Sequence, residues 1–202
     1  MEIIQKGGPI MVVIIFLSVV SVVVIIERLL YFRRTRVDEE KLLNRLKSRL
    51  QERHFDEAMA ICEANPSPIS RLVSVGIQYR HQSNRVVREI IMDAANVEIP
   101  KQERFLPTLG TIAHVAPLLG LLGTVTGNID AFGVLGDAGG LADSSRLALG
   151  ISEALLTTAA GLIVGIPVIM FYNYLSSKAN NTILRLENRV SELVLLFGVQ
   201  GD

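Results

Sequence analysis

Tryptophan is absent from this chain of 202 residues, cysteine occurs once, histidine three times, and aromatic residues make up only 5%. The single thiol, Cys62, excludes an internal disulfide and a cysteine-built zinc cage, and is expected to pack as a small apolar side chain. Net charge is lacking too. Twenty Lys and Arg balance 20 Asp and Glu, so nothing points to a nucleic-acid partner. Catalytic signatures are equally scarce: there is no G-x-S-x-G, no H-x-x-x-H and no glycine-rich loop ending in Lys and Ser/Thr. No nucleophile, base or metal set can be assembled, so the chain reads as a non-enzyme without metal or cofactor.

What is present is apolar residue in blocks, 50% of the chain, with a mean hydropathy of +0.40. A spanning helix needs roughly 20 mainly apolar residues. Three runs meet that length, Ile10 to Ile26, Phe105 to about Phe132, and Gly150 to Leu175. The expected fold is all-α: transmembrane helices over 10–31, 105–132 and 150–175, extended by cytosolic helices. The first run is longer than a signal-peptide core and no A-x-A-like site follows it. Arg28, Arg33, Arg34 and Arg36 follow instead, and basic residues flanking a span mark the cytosolic side. Residues 28 to 104 hold 15 of the 20 Lys and Arg, and the tail holds Lys178, Arg185 and Arg189. The expected topology has residues 1–9 as a short periplasmic N-terminus, 32–104 and 176–202 in the cytosol, and 133–149 as a periplasmic loop. Ser18 and Ser21 are the only polar residues within the first run, which reads as a peripheral, mostly lipid-facing helix.

The segment 32–104 carries apolar residues at helical spacing, Leu42, Leu43, Leu46 and Leu50, then Phe55, Ala58 and Ile61. Asn65, Pro66, Ser67 and Pro68 interrupt the pattern, and Asp56 stands near the start of the short helix before them. From Asn84 to Glu103, Val86, Val87, Ile90, Ile91, Ala94 and Val97 are expected on one packed face, with Pro100 marking a bend or junction. The tail reads as a continuation of the third spanning helix that packs on the cytosolic helices through Ile183, Leu186, Val190, Leu193 and Leu196.

The second span is broken up by Pro107, Gly110, His114, Pro117, Gly120, Gly123, Thr124, Thr126, Gly127 and Asn128, a composition suited to close helix packing rather than to lipid. Gly123 to Gly127 and Gly161 to Gly165 are both G-x-x-x-G pairs, which predicts two facing small-residue surfaces. The third span carries Glu153, Thr157 and Thr158. A carboxylate near hydrocarbon costs on the order of 2.5–3.5 kcal/mol, so Glu153 either reaches interfacial water or faces a polar seam. At 100° per residue, Glu153 and Thr157 share one face, whereas Thr158 aligns with Ala154, Gly161 and Gly165. Each threonine either returns its hydroxyl to its own helix or, with Thr124 and Thr158 repeated by oligomerisation, lines a narrow polar path. His114 lacks an acidic residue at helical spacing and reads as a donor to a helix rather than a proton relay. Glu153, near one end, is the carboxylate expected within the spans, so any proton carrier at midplane would come from a partner.

The sequences PLLGLLGTVTG (117–127) and GISEALLTTAAGL (150–162), continuing through Ile166-Pro167 to Tyr172-Asn173, resemble the MotA/TolQ/ExbB proton-channel family, most closely its ExbB and TolQ members. The resemblance implies a homo-pentameric ring in the bacterial inner membrane around a dimer of a single-span ExbD- or TolR-like partner. That partner's aspartate would carry protons and drive a motor acting on a TonB- or TolA-like protein, for outer-membrane transport or envelope maintenance. Thr124 and Thr158 match the family's pore-lining threonines and Glu153 its third-span glutamate, while Pro117 and Pro167 match motif prolines. Gly120, Gly123, Gly127, Gly161 and Gly165 are then structural, and Glu153 and Thr157 make helix or subunit contacts. Thr126 stands where the family motif commonly has tryptophan, which leaves the gliding and polysaccharide-linked stator branches open. A structural membrane scaffold is the alternative from another class.

Overall fold

Apolar residues at three- and four-residue spacing and long apolar runs both favour helix, and helix is what the chain forms. The computed structural model describes residues 8–35, 39–137 and 144–197. Its helices are α1 (Gly8–Arg34), α2 (Glu39–Gln51), α3 (Phe55–Ala64), α4 (Pro68–Gln78), α5 (Asn84–Glu103), α6 (Leu106–Asp137) and α7 (Ser144–Phe197). Among the described residues, three stretches, Gly8–Arg34, Asn84–Gly133 and Leu147–Val190, are long and apolar enough to cross a membrane. Two compact units divide the described residues: 8–28 with 105–175, and 29–104 with 176–197.

The second unit has an apolar core. Leu42, Leu43, Leu46 and Leu50 of α2 join Ala58 and Cys62 of α3, Ile69, Leu72, Val73 and Ile77 of α4, and Val87, Ile91 and Ala95 of α5. Leu186, Val190, Leu193 and Phe197 of α7 complete it, and the Phe197 ring lies against Gly76, where a Cβ would collide with it. Leu196, expected in this contact, has a side chain outside the described residues. Between α3 and α4 the chain breaks where Pro66 and Pro68 stand. Ser67 caps α4, its hydroxyl accepting from the Ser70 N–H at 3.2 Å, and Pro68 occupies the first turn where its missing N–H is harmless. Asp56 lies in the first turn of α3, whose cap is His54. Burial pushes the Cys62 thiol above its ordinary range.

One expectation for α5 is corrected. Its buried stripe is Val87, Ile91, Ala95, Glu98 and Gln102, while Val97 is 60% exposed and Val86 also lies outward. The stripe turns polar in its last turn because partners are waiting there. Glu98 pairs with Arg71 Nη2 of α4 at 2.7 Å and with Lys101 Nζ at 2.6 Å, and Gln102 Nε2 donates to the Tyr31 hydroxyl at 3.0 Å. α5 runs on past Pro100. It continues to Glu103, and the chain turns at Phe105, whose φ of 63° lies in the left-handed region.

In the first unit, Met11, Ile14, Ser21, Ile25 and Arg28 form the buried stripe of α1, and Val12, Phe16, Val19, Val23 and Ile26 lie exposed on the other side. The Ser21 hydroxyl returns to the Ser18 carbonyl at 2.8 Å. Arg28 is 1% exposed, bonded to Glu27 and 5.9 Å from the centre of the Phe105 ring. α6 continues to Asp137 and α7 begins at Ser144, so Gly136 and Arg146 are helical. Gly139, Gly140 and Asp143 lie outside the described residues, as do residues 1–7 and 198–202.

Candidate functional site

The site is built on close backbone approach. α6 and α7 run antiparallel, and each step of three or four residues forward on α6 is matched by one back on α7. A Cβ at Gly165 would stand 2.5 Å from the Pro117 ring, one at Gly161 2.6 Å from the Ala116 carbonyl oxygen and 3.0 Å from Gly120 Cα, and one at Gly127 2.8 Å from Ala154 Cβ. At Gly123 a Cβ would meet the Thr157 hydroxyl. The two G-x-x-x-G pairs therefore do not face each other. Gly120 meets Gly161, while Gly123 and Gly127 receive Thr157 and Ala154. At Gly120 and Gly161 the nearest atoms are backbone, which cannot rotate away, and at Gly123, Gly127 and Gly165 they are the short or rigid side chains of Thr157, Ala154 and Pro117.

The close approach brings three hydroxyls to two carbonyls. Thr158 Oγ1 donates to the Gly120 carbonyl at 2.8 Å and accepts from Thr124 Oγ1, the two hydroxyls lying in direct contact across the seam. Thr124 also reaches the Gly120 and Ala154 carbonyls at 3.3 and 3.4 Å. Thr157 Oγ1 donates to the Ala154 carbonyl at 2.7 Å and lies 3.4 Å from that of Gly120. Helical angles separate Thr157 from Thr158, yet both meet α6. Bare backbone at Gly120 and Gly123 sinks between them, which side chains there would prevent. Thr157 is 3% exposed, whereas Thr124 and Thr158 are half-buried. The geometry thus brings Thr124, Thr157, Thr158, Gly120, Gly123, Gly127, Gly161, Gly165 and Pro117 together.

Glu153 lies elsewhere. It is half-buried and borders a cleft of about 290 Å³ with Pro9 of α1, Thr126, Gly127 and Asp130 of α6, and Gly150 and Thr157 of α7. Asp130 is thus a second carboxylate within a span, on the same cleft. The sequence reading passed over it because it stands two residues before the end of the second apolar run. Its four-residue spacing from Thr126 is the signal that would have found it. Pro167 is also remote from the threonines, in an apolar groove with Ser18, Ser21 and Ile25 of α1. His114 Nδ1 lies 2.7 Å from the Gly110 carbonyl. A carbonyl only accepts, so Nδ1 carries the proton and the ring is tied to its own helix.

The profile of the MotA/TolQ/ExbB proton channel family matches residues 64–188, which include α6, the whole threonine seam and the α6 and α7 residues of the cleft. The chain belongs to the MotA/TolQ/ExbB proton channel family. Among its relatives, the Synechocystis sp. protein named ExbB-like 1 is 33% identical over 95% of this chain and 76% of its own length. An ExbB homolog of Methanothermobacter thermautotrophicus is 29% identical over 93% of this chain and 66% of its own length. The Tol-Pal system protein TolQ of Haemophilus influenzae is 46% identical over 43% of this chain and 38% of its own length. Like the family it belongs to, this is a membrane protein of the channel type, and its three apolar helices fit that class.

Proposed function

We propose that this chain is the inner-membrane subunit of a proton-driven motor, in which Thr124 and Thr158 line the proton path of a homo-oligomeric ring. The observation that carries the reading is the direct contact of these two half-buried hydroxyls across a seam of glycines. Hydroxyls both donate and accept, so they can hand a proton along a hydrogen-bonded chain without being ionised. They cannot store charge. A carboxylate on a single-span partner of the ExbD or TolR kind would carry the proton past them, and a TonB- or TolA-like protein would receive the work. Asp130 and Glu153 border the cleft at the end of the seam and would bias cations toward it, with Glu153 and Thr157 also serving helix or subunit contacts.

Proton flux into liposomes holding the assembled complex tests this, comparing the native chain with Thr158→Val. Valine keeps the shape and removes the hydroxyl, so a fall of at least tenfold in flux per folded complex is expected. Unaltered flux refutes the pathway role.

One observation favours a second reading, a purely structural seam: all three hydroxyls are already bonded within the chain. In that case Thr124→Val with Thr158→Val would lower stability by about 1–3 kcal/mol and leave flux in step with the amount of folded complex.

A further inference from the structure

His114 leaves one of its ring nitrogens unused. Nδ1 donates to the Gly110 carbonyl at 2.7 Å, so in the neutral ring Nε2 is an acceptor, and among the described residues nothing donates to it. The side chain is exposed on α6. Contacts on either side fix its level in the first unit: Gly110 meets the Tyr172 ring and Pro117 meets Gly165, so His114 stands at the level of Val168 and Ile169 of α7. That level is apolar. Ile166, Met170 and Phe171 lie exposed around it, and Pro167 and Val168 share a groove with Val22, Ile25 and Ile26 of α1. An acceptor facing outward at such a depth has no water to bond and is costly to leave unmatched, so another chain is needed to supply a donor.

The flank of α6 that carries His114 adjoins the open edge of the threonine seam. At about 100° per residue, Leu121, Val125 and Asn128 fall within about 40° of His114, and Thr124 lies one turn from both Leu121 and Asn128. Leu121 and Val125 are exposed. Asp130 lies about 160° round from His114, on the cleft with α1, so α1 does not cover this flank. A second copy of the chain offers no donor here either. Copies in one membrane face the same way around an axis normal to it and meet at equal depth, where they expose Val22, Val23, Ile26, Ile166, Met170 and Phe171. Ser21 is buried and donates to the Ser18 carbonyl, Ser18 stands a turn beyond it, Thr111 donates to the Pro107 carbonyl, and a second His114 presents the same acceptor.

We propose that His114 Nε2 accepts a hydrogen bond from the protonated carboxyl of a different chain's spanning helix, which packs along His114, Leu121 and Val125. The inference rests on the proposed function for the kind of partner, a single-span ExbD- or TolR-like protein, and not for the threonine path. A carboxyl donates only while it holds its proton, so this contact distinguishes the loaded partner from the empty one.

The test uses the full chain co-expressed with that single-span partner, and reads how much partner stays with the tagged chain through purification. Loss of a desolvated hydrogen bond is worth about tenfold, so His114→Leu lowers retention by about that factor, whereas His114→Gln keeps an acceptor and lowers it by no more than about twofold. Replacing the partner's spanning carboxylate by alanine costs about the same as His114→Leu, and the two together cost no more than either alone. Unchanged retention in His114→Leu, additive losses, or a native chain that retains no partner overturns the proposal. If His114→Leu fails to fold, the native complex decides: the nitrogen-15 signal of His114 Nε2, one of three histidines and assigned with His114→Gln, shifts when the partner is present, and an unmoved signal overturns the contact. Retention is read without flux, so unaltered flux in Thr158→Val refutes the threonine path and leaves this contact standing.

Discussion

Gly161→Ala is the most direct probe of the α6–α7 seam, because the added atom has nowhere to go. Its Cβ would stand 2.6 Å from the Ala116 carbonyl oxygen, 3.0 Å from Gly120 Cα and 3.2 Å from Gly120 N. The closest of these is about 0.8 Å short of the 3.4 Å at which ordinary contact begins. All three are backbone atoms, so relief requires the helices to move apart, and that lengthens the 2.8 Å bond from Thr158 to the Gly120 carbonyl. Overpacking of this kind costs about 1–3 kcal/mol, against which alanine recovers about 1 kcal/mol of helix propensity. The net expectation is a loss of up to about 2 kcal/mol, or a fall in Tm of a few degrees, together with reduced proton flux. Gly133→Ala supplies the opposite sign. No atom lies within 4 Å of its Cβ in α6, so the propensity gain stands alone and Tm rises slightly. Thermal unfolding of both variants in one detergent compares them. If Gly161→Ala is as stable as the native chain, or if Gly133→Ala is equally damaging, the close-packed register is wrong.

Other outcomes follow from the same contacts. Asp130→Asn with Glu153→Gln removes both charges from the cleft and is expected to slow proton flux several-fold at low ionic strength, with a smaller effect in high salt; salt-independent flux counts against an electrostatic role. Arg71→Met leaves Glu98, 3% exposed, paired with Lys101 but without its guanidinium, and should destabilise by about 1–3 kcal/mol; adding Glu98→Gln should restore much of the loss in chemical denaturation. Glu192 is held below the usual carboxylate range by hydrogen bonds from Lys47 and then Arg189. A depressed folded-state pKa gives stability that is present above the unfolded value near 4.5 and lost as pH falls through the lower folded value. Lys47→Met should therefore reduce stability by about 0.2–1 kcal/mol at pH 7 and by less at pH 3, as denaturation at the two pH values would reveal. Cys62, buried with its thiol pushed up, should react with iodoacetamide only on unfolding; fast labelling of the native chain would contradict its place in the core.

Much of the helical content was legible because it rests on local periodicity. Leu42, Leu43, Leu46 and Leu50 recur at helical spacing and pack together, and Ser67-Pro68 carries its own cap and first turn. The face of α5 was less legible. Apolar count favours Val86 and Val97, but Val87, Ile91 and Ala95 are the buried apolar residues, and Arg71 and Tyr31 supply partners that let Glu98 and Gln102 continue the same stripe. Asp130 was hidden by its position near the end of an apolar run, where a single acid looks like an ordinary boundary.

By itself the sequence determined that the chain is helical, that three of its runs suit a membrane, and which family its motifs resemble. Run length and residue type settle those points without reference to any neighbour. Tertiary structure alone decided that Gly120 faces Gly161, that Thr124 meets Thr158 while Thr157 fills the space at Gly123, and that Glu153 shares a cleft with Asp130. The register of two antiparallel helices depends on how closely their backbones approach, and that distance is a property of both surfaces together.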